Sequence, residues 1–114
     1  MRRPHARGSL DVELGPDAAC AAVRDVARAT PRWRIREDDP AGRRLRAEAR
    51  TRLLHFTDDV WIEVESRGAG SRVHVDSASR VGFTDFSTNA RRVRDYLARL
   101  AEAIPEITAG RSAR

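Results

Sequence analysis

The sequence predicts an α+β domain of two layers, a four-stranded antiparallel meander with two helices on one face, in the order α-β-β-β-β-α. Three observations predict it. Four segments between residues 32 and 76 alternate apolar and charged residues, the mark of a sheet wet on one side. Two flanking segments repeat apolar residues every three or four positions, the mark of amphipathic helices. The outward strand positions are charged throughout, so both helices must cover the other face.

Each element has its own signals. Gly15-Pro16-Asp17 opens the first helix, with proline in the first turn and an acid near the N-terminus. Ala19, Val23, Val26, Ala27 and Thr30 share one face, and Pro31 ends the helix. The first strand turns Trp33 and Ile35 inward and Arg32, Arg34 and Arg36 outward, and Asp38-Asp39-Pro40-Ala41-Gly42 is a turn. The second points Leu45, Ala47, Ala49, Thr51 and Leu53 inward. The third does so with Val60, Ile62 and Val64, the fourth with Val73 and Val75. Phe86, Ala90, Val93, Leu97, Leu100 and Ile104 form the stripe of the last helix, with Tyr96 beside it and Pro105 as its stop. Residues 1–9 and 105–114 read as disordered tails around a single domain at 10–104.

Composition excludes many mechanisms. The chain has 114 residues, enough for one core. All 22 basic residues are arginine, so Schiff-base chemistry and a phosphate-loop lysine are absent; a GC-rich, bacterial genome accounts for the bias. One cysteine, Cys20, rules out an internal disulfide and a cysteine-built zinc site. His5, His55 and His74 are scattered, so no metal and no cofactor is implied. The longest apolar run, 18–23, is too short to span a membrane, and Leu10-Asp11-Val12-Glu13 follows the N-terminal arginines where a signal peptide needs apolar residues. A cytoplasmic location is expected. The net charge is +5, but residues 10–104 hold 17 Arg against 16 acids, so the excess lies in the ends. That pattern predicts weak polyanion attraction through the tails and the sheet face; nucleic acid is not expected as a specific partner.

Alternation also restricts register. Between the third and fourth strands it sets Val64 opposite Val73, Ile62 opposite Val75, Val60 opposite Ser77 and Asp58 opposite Ser79, with Glu65 meeting Arg72. Between the second and third it sets Arg52 opposite Asp59, Arg50 over Trp61 and Arg46 opposite Glu65. Between the first and second it faces Arg34 with Arg46 and Arg36 with Arg44, a four-arginine patch that could hold an anion.

One stretch carries a candidate site. Residues 77–92 leave the fourth strand, pass a glycine-containing connection and enter the last helix. Asp85 or Ser87 would cap that helix. Asp85, Asn89 and Arg92 fall on one polar stripe, and the register brings Asp58 and Asp59 to the same end of the sheet. Asp58, Asp59, Ser79, Arg80, Asp85, Asn89 and Arg92 are therefore expected to converge. The stretches Leu54-His55-Phe56-Thr57-Asp58-Asp59-Val60 and Ser77-Ala78-Ser79-Arg80-Val81-Gly82-Phe83-Thr84-Asp85, with Asn89 and Arg92, resemble the signature of the domain of unknown function 1499 family over residues 12–104. The resemblance implies no activity. Two features depart from it: Ser87 stands where members usually have glycine, and the N-terminal export or membrane segment common in members is not seen.

Three readings of the cluster follow. Arg80 and Arg92 would bridge Asp58, Asp59 and Asp85 and pin the last helix to the sheet. The same guanidiniums beside a helix N-terminus would bind a small anion or an acidic protein segment, the leading functional expectation, as a non-catalytic module. A hydrolase-like enzyme would use Asp58 or Asp59 as general base, although neighbouring strand residues point to opposite faces and cannot share a proton.

Overall fold

A computed structural model describes residues 4–53, 55–80 and 86–112, with side chains placed for all of these except Phe86 and residues 105–112. The elements are β1 (His5–Val12), α1 (Pro16–Ala29), β2 (Trp33–Asp39), β3 (Arg44–Arg50), β4 (Thr57–Arg67), β5 (Gly70–Ser79) and α2 (Phe86–Ser112). The α+β class and the two helices on one face are as expected. The strand count is corrected from four to five, because β1 occupies most of the stretch read as a loose N-terminal end.

The sheet order is β1-β5-β4-β3-β2, antiparallel throughout. β2 to β5 form the expected meander. β1 joins the far edge beside β5, and α1 crosses the sheet to reach β2 at the other edge. Small residues hide β1 in the sequence. Ala6, Gly8, Leu10 and Val12 alternate inward, but Ala6 and Gly8 give almost no apolar signal. Gly8 is small because α2 lies over it: a Cβ there would stand 2.7 Å from Val93 Cγ1 and 3.1 Å from Leu97 Cδ1.

The core lies between the sheet and the helices. Leu45, Ala47, Val60, Ile62, Val64, Val73 and Val75 face Ala19, Ala22, Val23 and Ala27 of α1 and Val93, Tyr96, Leu100 and Ile104 of α2. Tyr96 is buried, and its hydroxyl donates to the Val23 carbonyl at 2.8 Å, joining the helices. Burial pushes its phenol well above the ordinary range. Gly15 precedes α1 and Pro16 begins it, as expected; Thr30 closes it, its hydroxyl donating to the Val26 carbonyl at 2.7 Å. α2 runs past Pro105, where a stop was expected. A proline inside a helix forfeits a backbone hydrogen bond without forbidding further turns.

The β4–β5 register is the one alternation required, from Asp58↔Ser79 to Glu65↔Arg72. The other two registers are corrected. β3 and β4 are shifted, so Arg46 faces Trp61, Glu48 faces Asp59 and Arg50 faces Thr57. The shift keeps every residue on its expected face, which is why alternation alone could not detect it. β2 and β3 put Arg34 opposite Glu48, and an irregularity between Ile35 and Glu37 lets Arg36 donate to Glu48 Oε1 at 3.0 Å. Arg34 thus faces Glu48 and Arg36 bonds it, so the expected Arg34–Arg46 and Arg36–Arg44 pairings, and with them the four-arginine patch, are not formed. Leu53, expected inward, is 87% exposed because β3 ends at Arg50.

One glycine holds the β1 edge in place. A Cβ on Gly70 would stand 2.5 Å from the Val12 carbonyl oxygen, so Gly70→Ala must push strand backbone aside. We expect it to lower unfolding stability by about 1–3 kcal/mol in a urea titration; a loss below the error of that titration would contradict this packing.

Candidate functional site

The residues expected to converge form two clusters on opposite faces of the sheet, as alternation at Asp58 and Asp59 requires. Asp85 lies outside the described residues.

The inner cluster joins α2 to the ends of β4 and β5. Asp58, Ser77, Ser79 and Asn89 are each fully buried. Arg92 Nη1 donates to Asp58 Oδ2 at 2.7 Å, to Ser77 Oγ at 3.1 Å and to Asn89 Oδ1 at 3.1 Å. Ser77 Oγ donates to Asn89 Oδ1 at 2.8 Å. Asn89 Nδ2 donates to Ser79 Oγ at 2.8 Å and to the Pro4 carbonyl at 3.3 Å. Asn89 therefore ties α2, β5 and the entry to β1 together. Asp58 Oδ1 is buried with no hydrogen-bond partner among the described residues.

The outer cluster is a charge ladder on the wet face. Arg80 clamps Asp59 through two bonds, Nε to Oδ2 at 3.1 Å and Nη2 to Oδ1 at 2.8 Å, and reaches Glu48 Oε2 at 2.7 Å. Arg46 adds bonds to Asp59 at 3.3 Å and Glu37 at 3.2 Å. Donating hydrogen bonds to Asp59 first, then to Glu48, raises the Arg80 pKa, and accepting them from Arg80 and Arg36 lowers that of Glu48. Along the sheet, His74 faces Glu63 and bonds Glu65 at 2.9 Å, while Arg72 bonds Asp11 at 2.7 Å. Among the described residues no group of side chains is suited to a metal ion.

A third feature went unread in the sequence. A groove of about 640 Å³ opens between α2, the α1–β2 turn and the β3–β4 connection. Trp33 and Tyr96 stack along it with centroids 4.9 Å apart and planes 8° from parallel, and Leu53 and Phe56 add apolar surface. Six arginines line it, Arg32, Arg50, Arg52, Arg91, Arg92 and Arg99, against one acid, Asp95. Arg92 is committed to Asp58. The other five have no carboxylate partner among the described residues, which is true also of Arg28, Arg34, Arg43, Arg44 and Arg67, whereas Arg7, Arg24, Arg36, Arg46, Arg72 and Arg80 all have one. A larger concavity, about 920 Å³, covers the outer sheet face; of its three arginines Arg7 and Arg46 are paired with Asp76 and Glu37, and Arg44 stands opposite Asp39 and Glu63 in the sheet. The groove escaped the sequence because its arginines come from three separate segments and only Arg92 belongs to a motif.

Comparison with known proteins places the fold and the family. The model of a family described as "Protein of unknown function (DUF1499)" matches residues 3–100. No curated protein matches the chain. Among solved structures it is similar to the di-domain ARO/CYC BexL from the BE-7585A biosynthetic pathway (TM-score 0.68, 20% identity), covering 95% of this chain and 48% of that one. It is also similar to Ara h 8.0201 (TM-score 0.67, 11% identity; 93% and 97% covered) and to an uncharacterised protein from Bacillus thuringiensis (0.66, 13%; 88% and 98%). The chain spans about half the length of BexL. These likenesses establish the fold alone, an α+β arrangement of a five-stranded antiparallel sheet and two helices.

Proposed function

We propose that this chain, which belongs to the DUF1499 family, is a non-catalytic binding module for a small ligand that joins an anionic group to a flat apolar portion. The carrying observation is the groove, lined by five guanidiniums with no carboxylate partner among the described residues and by Trp33, which stacks on the buried Tyr96 ring. Guanidinium forks suit carboxylate or phosphate, and aromatic walls suit an apolar ring or chain. The residues singled out in the sequence support this site from behind. Arg92, held by Asp58, Ser77 and Asn89, closes the groove's inner wall, and Ser79 fixes Asn89. In this reading Arg80 and Asp59 brace the sheet, with Asp85 left as a candidate beside the helix entry.

Base chemistry at Asp58 or Asp59 fits less well. Asp58 is sealed and paired with Arg92, and Asp59 is held by both Arg80 and Arg46. A general base needs reach to a substrate proton, which neither arrangement offers.

Calorimetric titration with 2-naphthyl phosphate and 2-naphthol tests the proposal. The phosphate is expected to bind about tenfold or more tightly than the neutral naphthol, and its affinity should fall as salt rises. Equal affinities, or no heat with the phosphate at millimolar concentration, would overturn it.

A further inference from the structure

The β3–β4 connection carries a feature that a soluble ligand does not require. Leu53 is 87% exposed, the most exposed large apolar side chain among the described residues. The segment presenting it is pinned at its base: Thr51 N donates to the Phe56 carbonyl and Phe56 N to Thr51 Oγ1, both at 2.8 Å. His55 holds a left-handed backbone, φ 55°, which non-glycine residues adopt at a cost. The leucine is thus displayed on a shaped loop. Singly exposed leucines are ordinary on protein surfaces. This one is ordinary in size and unusual in its surroundings, because Arg50 and Arg52 precede it, Arg32 stands on the neighbouring turn, and Arg91 and Arg99 stand on the facing helix. None of these five has a carboxylate partner among the described residues.

We infer that this end of the molecule docks on an anionic lipid bilayer, with Leu53 entering the interface and the surrounding arginines meeting lipid phosphates. An apolar tip inside a basic ring is what interfacial binding rewards: the leucine gains by leaving water, and each arginine gains from the negative surface potential. A nucleic acid would satisfy the arginines but would leave the leucine in water, so charge complementarity together with the apolar tip favours the bilayer. Attachment of this kind needs no spanning element, and no described helix is long and apolar enough to cross a membrane. Docking would also turn the groove mouth toward the lipid surface, a source of ligands combining phosphate with apolar chains. The inference uses the same arginines as the groove but does not depend on a soluble ligand binding there.

Co-sedimentation of the full chain with vesicles tests it. Wild type is expected to partition onto vesicles of equal parts phosphatidylcholine and phosphatidylglycerol, and to stay in solution with phosphatidylcholine alone. Leu53→Asp should reduce partitioning by about tenfold or more, with an unchanged melting temperature because the side chain touches little. Leu53→Phe should retain it. Failure of wild type to bind the mixed vesicles would overturn the inference, as would Leu53→Asp binding as wild type does; the latter would leave only non-specific polyanion attraction. Because 2-naphthyl phosphate is titrated without vesicles, failure here and failure of the groove reading are separable.

Discussion

Replacing Arg92 with alanine is expected to lower unfolding stability by about 3–5 kcal/mol. The cause is the carboxylate it would strand. Asp58 is fully buried, its Oδ2 is held by Arg92 at 2.7 Å, and its Oδ1 has no partner among the described residues. Losing Arg92 leaves a buried charge with no counter-ion, and Ser77 and Asn89 lose a donor as well. Removing both charges together should cost far less. Arg92→Met with Asp58→Leu fills the space with apolar groups and should recover most of the loss, since a buried ion pair adds little net stability over apolar packing. Arg80→Ala is the contrast. Its side chain is 46% exposed, and Asp59 retains Arg46 while Glu48 retains Arg36, so the change should stay within about 1 kcal/mol. Chemical denaturation of the four proteins decides the matter. Similar losses for Arg92→Ala and Arg80→Ala would mean that the inner pair is not sealed from water as described.

Reversing two charges on the outer wall of the groove should have the largest effect on binding. Arg91 and Arg99 are exposed on α2 and have no acidic partner among the described residues, so Arg91→Glu with Arg99→Glu should leave the melting temperature almost unchanged. The affinity for 2-naphthyl phosphate should fall by about tenfold or more, because attraction becomes repulsion at two positions, each worth on the order of 1 kcal/mol near the surface. Added salt should narrow the gap between variant and wild type. An affinity equal to wild type would remove α2 from the binding site.

How far the sequence could be read depended on what each signal encodes. The β4–β5 register was legible because a short turn and a strict alternation left one solution. The β3–β4 register was not, because several slips preserve the faces and the intervening connection does not set its own length. β1 was hidden by Ala6 and Gly8, and at Gly8 the smallness answers to the helix above it. The polar stripe of α2 was seen, but Asn89 proves to face the interior with Val93 and Tyr96, where its amide has four partners. The acidic pair at 58 and 59 was correctly expected to split across the sheet, which itself argued against the single locus the other residues suggested. The groove lay beyond a linear reading, because it is assembled from the α1–β2 turn, the end of β3 and its loop, and one face of α2.

Tryptophan fluorescence gives the most direct test of the central claim, that the anion is taken up against Trp33. The chain has two tryptophans, Trp33 in the groove and Trp61 on the outer sheet face. Titrated with 2-naphthyl phosphate, Trp61→Phe should show a saturable change in the remaining tryptophan's emission, and Trp33→Phe should show none. A saturable change that survives in Trp33→Phe and vanishes in Trp61→Phe would place the ligand on the opposite face and contradict the account.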